Sequence, residues 1–234
     1  MNVVIIADSQ TRNIKPEAGT YVAYHRENGK VKESPEPSNP TFYGVPFEFD
    51  VIQIVLGGWT IAAGWTSEIQ EIVYKQCQQR NWEPYAIDAV LILGGLNDLR
   101  GNLLQGKTAE EAQKVRNKLL QDIEIFAEKI EMKLSYRARV IYLGSGRIWG
   151  SSSRYQSVIN SEVLKERFRD FTVFSYEVCQ RSIVWGLKNK KLEYCNVFLG
   201  YGDEDIRDEI GHPNPSGRKK IVNEIEELLI MIAP

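Results

Sequence analysis

Short apolar runs alternate with polar, glycine-bearing turns along the chain, and the alternation predicts the elements. Residues 2–7 form a β-branched run, the pattern of a strand buried on both faces of a parallel sheet. Residues 51–56 and 86–93 repeat it, and each run is stopped by a glycine pair, Gly57-Gly58 and Gly94-Gly95. Between them Ile69, Ile72, Val73 and Cys77 fall on one face of a helix. Thr108 ahead of Glu110 and Glu111 makes a capping-box-like start to a longer helix, with Leu119, Ile123, Phe126 and Ile130 at core spacing. Residues 139–143 read as a fourth strand. A second long helix is expected over about 158–187 from Val163, Leu164, Phe168, Phe171 and Phe174. Residues 195–199 read as a fifth strand, and 215–232 as a final amphipathic helix bearing Ile221, Ile225, Leu228 and Leu229.

The stretch 11–50 breaks this rhythm. Residues 21–32 read as a hairpin around Asn28-Gly29, a type I′ pair, and 33–40 as a proline-rich loop. The segment is expected to decorate one end of the sheet. The remaining βαβα order implies an α/β protein: a three-layer α/β/α sandwich with a central, mainly parallel five-stranded sheet, in one domain over 1–234. Such sheets carry their sites at the carboxyl ends of the strands.

Composition narrows the function classes. The 234 residues are 43% hydrophobic, enough for a sizeable core, and Lys+Arg 29 against Asp+Glu 31 gives a formal charge of -2. That balance provides no electrostatic footprint for nucleic acid. Cys77, Cys179 and Cys195 are widely spaced, against both a zinc cage and a fully paired disulfide framework. The apolar start is too short for a signal segment, and no run reaches the roughly 20 apolar residues of a membrane span. The expectation is a cytoplasmic protein with no metal.

The chemistry-bearing residues fall where the sheet rule wants them. Asp8-Ser9 follows the first strand, Gly57-Gly58 the second and Gly95-Leu96-Asn97-Asp98 the third, and His212-Pro213-Asn214 precedes the last helix. A serine hydroxyl needs a base to become a nucleophile, and the chain has two histidines. His25 sits in the predicted hairpin. His212 follows Asp208 and Glu209, either of which could hold its ring. The Ser9 N–H, the Gly58 N–H and the Asn97 amide are placed by element order to face a developing oxyanion.

These positions resemble the four blocks of the SGNH (GDSL-like) hydrolases, a family of esterases, lipases, thioesterases and carbohydrate deacetylases, and the likeness spans nearly the whole chain. Ala7-Asp8-Ser9 resembles the nucleophile block, with alanine where the family has glycine. Gly58 resembles the glycine block, Gly95-Leu96-Asn97-Asp98 the Gly-x-Asn-Asp block, and His212-Pro213-Asn214 with Gly217 the histidine block. The resemblance implies the family's flavodoxin-like fold, Ser9 as nucleophile, His212 as base, Ser9, Gly58 and Asn97 as the oxyanion hole, and a small-molecule, lipid or carbohydrate ester as substrate with no cofactor. The family's acid is an aspartate three residues before the histidine. Here Glu209 has that spacing and Asp208 has that chemistry, so both stand as candidates.

Other readings accompany these. An SGNH-fold binding module without turnover is one. A flavodoxin-like flavin mononucleotide binder is another, suggested by Ser9-Gln10-Thr11, although Arg12 stands where that phosphate loop wants glycine. Singly, Ser9 could be a turn residue and Asn97-Asp98 a helix cap. Asn214 with Pro215 fits a helix entry that is compatible with a role for His212. Trp59 and Trp65 fit core packing better than a pocket lining, whereas Arg147 and Trp149 belong to a loop on the same rim.

Overall fold

The computed structural model describes residues 1–28, 30–98, 109–144, 192–198, 200–207 and 211–234. Nine strands are found there: β1 (Asn2–Asp8), β2 (Ile14–Pro16), β3 (Thr20–Glu27), β4 (Lys30–Glu33), β5 (Thr41–Tyr43), β6 (Asp50–Leu56), β7 (Ala89–Leu93), β8 (Arg139–Tyr142) and β9 (Leu192–Tyr194). The helices are α1 (Ser67–Gln79), α2 (Ala109–Lys133) and α3 (Pro215–Ile232). The main sheet runs β4-β3-β6-β1-β7-β8-β9, and every pairing in it is parallel except β3 with β4.

Central strand β1 is apolar at every position from Val3 to Ala7 because both of its faces are covered. Val4 and Ile6 join Ile52, Ile54, Val90 and Ile92 in a core closed by Ile69, Val73 and Cys77 of α1 and by Leu119, Ile123, Phe126 and Ile130 of α2. Val3, Ile5 and Ala7 point the other way, toward Ile221, Ile225, Leu228 and Leu229 of α3. Alternation along the strand thus builds a helix–sheet–helix sandwich, and each fully buried Val, Leu or Ile contributes roughly 1.5–3 kcal/mol.

The main sheet has seven strands where the sequence pattern predicted five. The hairpin over 21–32 forms as expected, with Glu27 opposite Lys30 and Asn28 at φ 53°. It does not merely decorate the sheet. Thr20–Tyr24 pair in parallel with Ile52–Leu56, so β3 and β4 extend the β6 edge and cover its hydrogen-bonding groups. The remainder of that segment adds a two-stranded sheet of β2 and β5.

At the opposite edge the last strand is Leu192–Tyr194, not 195–199. Cys195 and Val197 continue with single backbone bonds to Tyr142 and Leu143 before the chain turns at Val197–Phe198. Thr108, Arg147, Trp149, Cys179 and the predicted helix over 158–187 lie outside the described residues. Among the described residues, no helix is long and apolar enough to cross a membrane.

Candidate active site

Ser9 stands at the carboxyl end of β1, in a tight 3₁₀ turn over Ser9–Thr11. The turn is held from beneath by Asp8, which is wholly buried: its Oδ1 accepts the Gln10 N–H at 2.9 Å. The Arg12 N–H closes the turn on the Ser9 carbonyl at 3.2 Å. Desolvation pushes the Asp8 carboxyl up to about 7; the Gln10 hydrogen bond opposes this, and the nearby Asp98 charge adds to it.

His212 meets Ser9 from the other side of the cleft, with Nε2 3.0 Å from Oγ although 203 positions separate the two residues. Its backbone is fixed before α3 begins. The His212 carbonyl accepts the Arg207 N–H at 2.7 Å, Ile206 bridges Pro213, and the Asn214 N–H donates to the Asp205 carbonyl at 2.7 Å. Asn214 also caps α3, its side chain accepting the Gly217 N–H at 2.9 Å, with Pro215 in the first helical turn. Asp205 is buried and its Oδ2 accepts from Gly202 N at 2.7 Å and Lys220 Nζ at 2.6 Å. Gly217 lets the helix approach this clamp: a Cβ there would lie 2.5 Å from the Asp205 carbonyl oxygen.

The remaining two blocks are tied to each other. Asn97 donates one amide hydrogen to the Trp59 carbonyl at 2.8 Å, and its second amide hydrogen is left for other acceptors. Asp98 accepts the Ile61 N–H at 2.9 Å and the Ala62 N–H at 2.8 Å, capping the short turn that follows the glycine block. Gly58 adopts φ +71°, a conformation that favours glycine, and no atom lies within 4 Å of the position a Cβ would take. Trp59 is buried against Phe126 with ring centroids 5.2 Å apart, and Trp65 packs on the same ring; both belong to the core, and Trp59 also lines a neighbouring hollow.

A cleft of about 300 Å³ is lined by Ser9, Gly58, Asn97 and His212 together with Gln10, Arg12, Asn13, Arg207, Pro213 and Arg218. Four positions read from sequence as one rim therefore share one cleft. Asp208 and Glu209 lie outside the described residues. His25 is not in this cleft; its Nδ1 lies 2.9 Å from Ser34 Oγ at the β3–β4 edge. A second, more apolar hollow of about 130 Å³ adjoins at Gly58, with Leu56, Trp59, Ile69 and Ile72 in its wall alongside His25, Arg26 and Glu68. Among the described residues, no group of three His, Cys, Asp or Glu side chains converges as a metal cage would require.

Sequence reasoning missed Asp98 as the cap of a distant turn, Asp205 as the clamp under the histidine loop, Arg207 and Arg218 as cleft residues, and any role for Arg12 beyond its misfit to a phosphate loop. In the sequence Asp98 belongs to the Gly-x-Asn-Asp block and fits a local cap, neither of which points to Ile61, and nothing in the spacing of Asp205, Arg207 or Arg218 marks them.

No protein-family model matches the chain, and no curated protein matches it in sequence. Solved structures match along nearly its full length. A carbohydrate esterase family 3 protein from Talaromyces cellulolyticus aligns with a TM-score of 0.54 at 14% identity, over 99% of this chain and 97% of its own. An extracellular lipase from Streptomyces rimosus aligns at 0.51 and 14% identity over 100% of both chains. A GDSL-like lipase from Bacteroides thetaiotaomicron aligns at 0.50 and 12% identity, over 99% of this chain and 89% of its own. The likeness is one of fold, and the chain has the SGNH hydrolase fold.

Proposed function

We propose that the chain hydrolyses carboxylic esters, with Ser9 as nucleophile and His212 as general base. The observation that carries this reading is the 3.0 Å approach of His212 Nε2 to Ser9 Oγ inside a cleft that Gly58 and Asn97 also line. A histidine at that distance can take the hydroxyl proton as the oxygen attacks.

The steps follow from the arrangement. His212 accepts the Ser9 proton while Oγ bonds to the ester carbonyl carbon, and the carbonyl electrons move onto oxygen. The Ser9 N–H, the Gly58 N–H and the Asn97 Nδ2 hydrogen receive that oxyanion, each donor contributing about 3 kcal/mol. The oxyanion electrons then re-form the carbonyl as the bond to the alcohol oxygen breaks, and His212 gives its proton to that departing oxygen, leaving an acyl-serine. Water attacks the acyl carbon with its proton passing to His212, and the acid leaves as Ser9 regains its hydrogen. Glu209 or Asp208 holds the imidazole and stabilises its cation. The apolar hollow beside Gly58 suits a short acyl chain.

The test compares wild type with Ser9→Ala and His212→Ala on p-nitrophenyl acetate, alongside labelling by a fluorophosphonate. Each variant should lose on the order of 10³-fold or more in kcat, and Ser9 alone should carry the label. Equal turnover by all three proteins, or a label elsewhere, overturns the reading.

A further inference from the structure

Three arginines share the cleft with Ser9 and His212. Arg12, Arg207 and Arg218 line it, and among the described residues no carboxylate does. Arg12 is exposed and enters through the nucleophile turn, three positions after Ser9. Arg218 enters from the side of the base, in the first turn of α3, where its N–H donates to the Asn214 carbonyl at 2.9 Å.

Arg218 occupies a costly position. Its side chain is only 7% exposed, Nη1 donates to the Asn39 carbonyl at 3.0 Å, and Nε finds no hydrogen-bond partner. A cation in the first turn opposes the helix dipole, and a buried N–H without an acceptor loses its hydration with no return. Burial, and then the charge of neighbouring Arg207, pull the guanidinium below its usual value. The contact with Asn39 occupies one donor and explains neither the unpartnered Nε nor the like charge beside it. Lys220, two residues along the helix, is paired with Asp205. An anion bound in the cleft would offset the like charges of Arg218 and Arg207 and offer the Arg218 fork an acceptor.

Building on the hydrolase reading, we infer that the ester taken by this cleft carries a negatively charged group, a carboxylate or a phosphate, which Arg218 and Arg12 receive while the ester carbonyl lies at Ser9. Guanidinium forks suit both oxyanions, and the two differ in charge and size.

Two matched substrate pairs test this and separate the two anions: monomethyl succinate against dimethyl succinate, and acetylglycerol phosphate against acetylglycerol. Wild type should favour the charged member of at least one pair by about tenfold in kcat/KM, and added salt should erode that preference. Arg12→Gln and Arg218→Gln should bring the ratio toward one, chiefly through KM, and Arg218→Lys should restore part of it. Arg12 is exposed, so its variant reports even where loss of the Asn39 contact unfolds Arg218→Gln. Wild type with no preference for either charged ester, or a preference intact in both glutamine variants, overturns the inference while leaving ester hydrolysis standing. Where neither pair is turned over and Ser9 takes no label, the hydrolase reading fails. Calorimetric titration of inorganic phosphate and of monomethyl succinate then decides the anion site: binding lost in Arg12→Gln upholds it, and no binding to wild type ends it.

Discussion

Asp98 Oδ2 accepts the N–H of Ile61 at 2.9 Å across 37 positions of chain, and Ile61 is fully buried. Its other oxygen takes the Ala62 N–H, so one carboxylate fixes the turn that follows Gly58. Replacing Asp98 by Ala leaves the buried Ile61 donor without a partner and should cost about 2 kcal/mol of stability. We expect the midpoint of urea unfolding to fall and fluorophosphonate labelling of Ser9 to slow without being lost. A variant with wild-type stability would show that the turn is held by packing alone.

Asn97→Ala tests the proposed oxyanion hole. It removes the amide hydrogen left over after the bond to Trp59, and kcat on p-nitrophenyl acetate should fall about 10²- to 10³-fold with KM nearly unchanged. An equal fall through KM would assign Asn97 to ground-state binding instead.

Gly217→Ala would place a Cβ 2.5 Å from the Asp205 carbonyl oxygen and 2.7 Å from Tyr201 Cε2. Helix α3 must back away, at about 1–3 kcal/mol, and the Asp205–Asn214 clamp should loosen with it. The expected readouts are a lower Tm and a reduced kcat, because the loop carrying His212 is fixed by that clamp. Substitution at exposed Lys219, two residues along the same helix, should change neither measurement appreciably.

Asp8 supplies a pH prediction. Burial, helped by the Asp98 charge, raises its carboxyl to about 7, so the folded chain holds a proton that an unfolded aspartate has already lost. A raised folded value contributes stability that is fully present below about pH 4 and is lost as pH climbs through about 7. Asp8→Asn retains an oxygen for the Gln10 N–H and removes the titration. Unfolding free energies measured across that window should therefore shift in favour of the variant as pH rises. A difference that stays constant with pH would refute the assignment.

Much of the site was legible because it obeys local rules. The β-branched 2–7 run reads as a two-sided buried strand, which put Ser9 at a strand end, and only one of two histidines lay near a helix entry beside carboxylates in sequence. The hairpin at Asn28 followed from its turn pair. The extra strands of the sheet were not legible, because the hairpin signal at Asn28-Gly29 specifies the turn and the Thr20–Tyr24 pairing with Ile52–Leu56 depends on main-chain groups that every residue carries. The same limit applies to Cys195 and Val197, whose apolar character fits a strand although Leu192–Tyr194 make the ladder.

The chain's alternating apolar runs by themselves determined the layered α/β architecture and the order in which Ser9, Gly58, Asn97 and His212 appear, since burial periodicity and turn chemistry are written residue by residue. Tertiary structure alone decided that Asp98 would cap a turn 37 positions earlier, that Asp205 would brace the histidine loop, and that Arg12 and Arg218 would enter one cleft from opposite ends of the chain. A charged side chain has many possible partners in an unfolded sequence, and only the packing of strands and helices removes water and selects one.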